Sequence, residues 1–208
     1  MSEATEVSEK KPSILIISHH SDVFMEIPLE GFLTKYHGCS VVAWDEDHID
    51  KKGENLNTQF QTKVNAADVV VLMISPAYKE WKDATFVTEA GQEHSPISAA
   101  ALSQQLINQR GDSVYLVQAG DCYGHPTFFD KPLFPQPQGI GCLLDRTSAL
   151  QQVAEKIIEF SASIPAEKPN FTLDVSPSSQ SLSDGFNAAA PESTTSQQPK
   201  ISRSRLSL

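Results

Sequence analysis

The run Asp68-Val69-Val70-Val71-Leu72-Met73-Ile74-Ser75 constrains the fold of this chain more than any other stretch. It is short, apolar between its ends and free of polar alternation, the pattern of a strand buried on both faces at the centre of a parallel sheet. Pro76 follows at once. It cannot donate to a ladder and suits a first helical turn, so it ends the strand and lets a helix begin. The rest of the chain repeats strand, loop and helix, which predicts an α/β domain.

Taken in order, the spacing predicts strands over 13–18, 40–44 and 113–117, with a short edge strand over 141–144. Ser21 or Asp22 can cap a helix carrying Phe24, Ile27, Leu29, Phe32 and Leu33 on one face, interrupted by Pro28 and closed by Gly38. Asn55 or Asn57 can cap a second helix running to about Ala66, with Leu56, Phe60 and Val64 four apart. A helix is expected after Pro76 through Tyr78, Trp81 and Phe86, and another over 98–109. Asp145 or Thr147 opens the last, with Leu150, Val153, Ile157, Ile158 and Phe160 facing inward. The stretch from Gly120 to Gly139, rich in Pro, Gly and aromatics, reads as an ordered loop. Three parts follow: a polar arm over 1–11, a domain over 12–165 and a disordered Ser/Pro/Gln-rich tail over 166–208.

The formal net charge of −10 argues against a nucleic-acid partner, because phosphate binding needs a basic face. The acidity lies in the domain, where residues 12–166 hold ten Lys/Arg against nineteen Asp/Glu. Cys39, Cys122 and Cys142 do not read as a disulfide framework. With no apolar leader and no run near the ~20 residues of a membrane helix, the sequence reads as a cytoplasmic protein without direct membrane insertion.

Chemistry-bearing clusters are sparse. Ser18-His19-His20-Ser21-Asp22 falls at a strand's carboxyl end, where open α/β sheets place ligands, yet without the glycines of a phosphate loop. Ser18, Ser75, Asp22 and the histidines do not form a hydrolase motif, since no elbow glycines flank either serine. Asp45, Glu46 and Asp47 read as a solvated acidic loop rather than a magnesium pocket, lacking a further carboxylate at the first strand and a lysine at a late one. Cys122 and His125 have zinc-like spacing but no second pair. The sequence therefore predicts no metal, no cofactor and no catalytic residue. Tyr78, Trp81 and Phe86 alternate with Lys79, Glu80, Lys82 and Asp83, which leaves part of that helix as a candidate partner surface. In the tail, Pro165-Ala166-Glu167 begins like a ligand for TRAF-type ubiquitin ligases, but Asn170 stands where an aromatic or acidic residue belongs and Phe171 comes one too late. Ser202-Arg203-Ser204-Arg205-Leu206-Ser207 is similar to a basophilic kinase substrate, and Leu206-Ser207-Leu208 to a hydrophobic C-terminal peptide ligand.

Three blocks together resemble the SEFIR domain, a TIR-related module of interleukin-17 receptors and their cytosolic adaptor. They are Ile14 to Ser18 followed by His20 and a helix; Trp44 followed by acidic residues, Ile49 and Gly53; and Ala67 to Tyr78. The resemblance covers residues 12–165. It implies a flavodoxin-like (TIR-like) parallel sheet with helices on both faces, and function by homotypic association with SEFIR-containing receptor tails or adaptors, homo-oligomers included. It places interaction surfaces on the loop holding Asp45, Glu46, Asp47, His48, Ile49, Asp50 and Gly53, and on the segment from Tyr78 and Trp81 to Glu89. Both mix charge with a few large apolar groups, the composition of a wet, reversible interface.

Two alternatives stand beside the signalling adaptor. Some TIR domains hydrolyse NAD with a glutamate after a Ser and a Trp; Ser75, Trp81 and Glu89 imitate that order, but Glu89 is eight residues past Trp81 where the pattern wants about four. The other is a truncated receptor or decoy that occupies SEFIR domains without passing a signal.

Overall fold

The computed structural model describes residues 11–44, 56–81, 97–120, 127–135, 140, 145–165 and 167–174. Four parallel strands, β1 (Ser13–Ile17), β2 (Ser40–Trp44), β3 (Val69–Ile74) and β4 (Val114–Gln118), lie in the order β2-β1-β3-β4. Every residue of β3 is buried, and it pairs Val69 with Ile14 of β1 on one side and Val70 with Val114 of β4 on the other. The expected central strand is central.

Helices cover both faces because side chains alternate along each strand. Ile14, Ile16, Val69, Val71 and Met73 pack under α1 (Val23–His37) and α5 (Arg146–Ala162). Leu15, Ile17, Val70, Leu72 and Ile74 pack under α2 (Leu56–Ala66), α3 (Pro76–Glu80) and α4 (Ala99–Arg110). This is the flavodoxin-like architecture, with its switch in strand order between β1 and β3.

The caps follow local chemistry. Ser75 Oγ accepts from Tyr78 N at 3.0 Å, Ser98 Oγ from Ala101 N at 3.2 Å and Asp145 Oδ1 from Ser148 N at 3.0 Å. Gly38, with φ 68°, closes α1, and the bonds Gly38 N to Thr34 O and Cys39 N to Leu33 O complete the turn. Gly120 answers a different need, since a Cβ there would meet Pro76 Cδ at 2.5 Å. A two-residue hairpin, β5 (Thr127–Phe128) and β6 (Lys131–Pro132), follows β4.

Four expectations need correction or a limit. The buried stripe of α1 is Met25, Leu29 and Leu33 together with Glu26, while Phe24 and Ile27 are 53% and 61% exposed. Helix phase is set here by polar partners: Glu26 must turn inward to meet Ser18, which carries Phe24 and Ile27 to the far side. The helix after Pro76 spans five residues and ends at Trp81, and Phe86 lies outside the described residues. The strand expected over 141–144 also lies outside them; instead Phe134 bridges to Val117 beside β4, and its carbonyl accepts from Gln118 N at 2.7 Å.

The largest correction concerns the tail. Residues 167–174, assigned from composition to a disordered segment, are a strap laid over α2 and α4. Phe171 is fully buried against Phe60, with ring centroids 6.0 Å apart and nearly perpendicular. Burying one large aromatic and pairing the backbone around it offsets an ordering cost that mean composition assumes is unmet. The domain boundary therefore lies beyond 165, and the tail over 175–208 lies outside the described residues.

Candidate functional site

The carboxyl edge of the sheet gathers Ser18, His19, His20, Asp22, Glu26, Ser75 and Trp81. Ser18 and Ser75 end β1 and β3, on the two sides of the switch point, and a single turn of 3-10 helix (His20–Asp22) carries the chain from β1 into α1. Ser75 Oγ donates to Asp22 Oδ2 at 2.6 Å across that point, and Ser18 Oγ donates to Glu26 Oε2. All four side chains are buried. Burial raises the Asp22 carboxyl pKa, opposed by the Ser75 hydrogen bond and the nearby His19 and His20. Each serine thus gives its proton to a carboxylate and not to an imidazole. His19 Nδ1 instead pairs with Ser21 Oγ at 2.8 Å. This arrangement fixes the start of α1 on the sheet.

Above this floor the side chains reach the surface. The His19 ring lies tilted against that of exposed His20, with centroids 4.0 Å apart, and meets the Trp81 ring edge-on at 5.5 Å. Trp81 is half-buried and its carbonyl accepts from Ala99 N at 2.9 Å, tying α3 to α4. Val23, Phe24 and Ile27 extend an apolar surface along the first turns of α1, with the Arg146 guanidinium 5.7 Å from the Phe24 ring.

The expected interaction residues divide into three groups. Asp45, Glu46, Asp47, His48, Ile49, Asp50 and Gly53 lie outside the described residues, as do Glu89, Cys122 and His125. Trp81 stands half-buried at the carboxyl edge. Tyr78 does not: it is fully buried, its hydroxyl is 2.9 Å from Ser103 Oγ, and burial pushes its pKa well up. A tyrosine inside the α3–α4 packing offers no partner surface.

Arg110 was invisible to motif reading. It is 1% exposed, and it donates to Val64 O at 2.8 Å, Ala67 O at 3.0 Å and Ser113 Oγ at 3.0 Å. Its cation thereby closes the carboxyl end of α2. Lys168 from the strap joins it there, donating to Ala67 O at 3.0 Å and Asp68 Oδ1 at 2.6 Å. The only signal was a basic residue ending an otherwise uncharged helix.

No protein-family model matches the chain, and no curated protein matches it. Among solved structures, a crystal structure of a prokaryotic SEFIR domain aligns at 16% identity over 78% of this chain and 100% of that one, with a TM-score of 0.47. Among the described residues, no helix is long and apolar enough to cross a membrane.

Proposed function

We propose that this chain is a SEFIR-type signalling adaptor, which associates homotypically with SEFIR domains of receptors or cytosolic adaptors in an interleukin-17-type pathway. The observation that carries this reading is the apolar surface of Phe24 and Ile27, 53% and 61% exposed beside the carboxyl edge. Large apolar groups left in water on a helix whose inner face is already packed are what a partner-binding surface requires. The SEFIR identity of the partner comes from the three sequence blocks. Association also suits the switch point better than catalysis does, because its serines and carboxylates are spent on one another.

Capture of purified SEFIR segments by the full chain tests this reading, with an unrelated TIR domain as control. Phe24→Glu with Ile27→Glu should abolish capture while near-UV circular dichroism stays unchanged, as should Asp47→Lys with Asp50→Lys if the acidic loop shares the surface. Capture that survives both pairs would remove the assigned surface. NAD turnover that depends on Glu89 would overturn the non-enzymatic reading.

A further inference from the structure

The strap is gripped as a peptide ligand is gripped. Asn65 on α2 takes Phe171 by both backbone groups, Oδ1 accepting from Phe171 N at 2.7 Å and Nδ2 donating to Phe171 O at 3.1 Å. Gln109 on α4 does the same to Thr172, at 2.8 and 2.9 Å. Gln61 on α2 accepts from Leu173 N at 3.1 Å, and Gln105 on α4 takes both groups of Asp174, at 2.9 and 2.6 Å. Four consecutive residues are thus held alternately from α2 and α4. The amides stand at i and i+4 on each helix, Gln61 with Asn65 and Gln105 with Gln109, so each pair presents one row to the groove.

Two features separate this from ordinary core packing. Among the described residues, no backbone–backbone hydrogen bond outside helices and strands involves 167–174; the strap joins no ladder. Side-chain amides that read only backbone N–H and C=O accept any sequence in an extended form, the logic of strand-like peptide capture. Selectivity then resides in three side chains. Phe171 fills the pocket beside Phe60, Leu173 is half-buried on the same core, and Lys168 reaches Asp68. Thr172 and Asp174 are exposed.

We propose that the groove between α2 and α4 is a peptide-binding site, in which 168–174 is the resident ligand. The partner it fits is an extended peptide with a basic residue, an aromatic three positions later and an aliphatic two beyond that. Such a segment competes with the resident one whenever the strap lifts. The proposal does not depend on the SEFIR reading, since the groove lies on α2 and α4 and the assigned association surface on α1.

The full-length chain tests this with a fluorescent peptide copying residues 167–175. The wild type, its groove filled, should leave the peptide's anisotropy unchanged at low micromolar concentration. Full-length Phe171→Ala should bind it saturably. A peptide carrying the same Phe171→Ala change should bind that variant weaker by roughly thirtyfold or more, the loss expected of a buried aromatic anchor. A second preparation guards against misfolding of the variant: a protease site within 163–167, cut after folding, should release the strap on dilution and admit the labelled peptide. If the cut chain unfolds, excess peptide should restore its near-UV signal. A folded Phe171→Ala chain that ignores the peptide, a cut strap that never exchanges, binding indifferent to the aromatic, or failure of excess peptide to refold the chain would each overturn the proposal.

Discussion

Replacing Phe171 by alanine in the full chain should cost about 2 to 3 kcal/mol and release the strap without melting the sheet. The strap makes seven backbone hydrogen bonds to side-chain amides, roughly 7 kcal/mol at about 1 kcal/mol net each. Burial of the Phe171 ring contributes about 3 kcal/mol, and the partly exposed Lys168–Asp68 pair about 1 kcal/mol. Ordering residues 168–174 costs roughly 7 to 14 kcal/mol at about 1–2 kcal/mol each. The two sides lie within a few kcal/mol of each other, so the strap is held with little to spare. A Phe→Ala change in a rigid core costs about 3 to 5 kcal/mol because a cavity persists. Here the strap can lift off instead, and the loss is capped by its own docking free energy. Urea unfolding gives the total, and amide exchange gives the location. Protection should vanish at Phe171 to Asp174 and persist in β3. A loss under about 0.5 kcal/mol, or a strap still protected from exchange, would mean that Phe171 does not anchor the strap.

Further outcomes follow from the polar groups. Burial alone would raise the Asp68 carboxyl, but bonds from Lys168 Nζ and from Ser13 N and Oγ outweigh it and hold the pKa at about 2. A depressed acid stabilises the fold above its ordinary pKa of 3.8, and that contribution fades as pH falls towards 2. Asp68 is partly exposed, so the effect is about 1 to 2 kcal/mol; Asp68→Asn should lose it and flatten stability against pH between about 5 and 2. Arg110→Met should cost about 2 to 4 kcal/mol in urea unfolding by withdrawing three buried bonds. Arg110→Lys should not rescue it, because one ammonium cannot reproduce the planar fork. Gly120→Ala should shift the Ser75–Pro76 turn, seen as chemical-shift changes at Asp22 and Tyr78 with a lower unfolding midpoint.

What the sequence made legible follows the range of each interaction. The apolar run of β3 and the caps at Gly38 and Asp145 are written in a few adjacent residues, so pattern reading reached them. The phase of α1 does not: it depends on Ser18 meeting Glu26, and an apolar count chose Phe24 and Ile27 for the wrong side. Tyr78 sits among lysine and glutamate in a five-residue helix, and only its contact with Ser103, 25 positions on, shows that it points inward. The strap was hidden by averaging. A single buried phenylalanine in a Ser- and Pro-rich stretch barely moves a composition, yet Asn65 binds Phe171 from 106 positions away and Gln109 binds Thr172 from 63. The amide pairs at i and i+4 on two helices were the readable sign.

The most direct test of homotypic association is a binding titration of the full chain against purified SEFIR-containing cytoplasmic segments. Phe24→Glu/Ile27→Glu and Asp47→Lys/Asp50→Lys chains would run beside wild type, with a TIR domain as the control. Wild type should bind at least one SEFIR segment saturably and the TIR domain not at all, and the Phe24/Ile27 variant should lose that binding. Absence of binding to every SEFIR segment by a folded chain would contradict homotypic association.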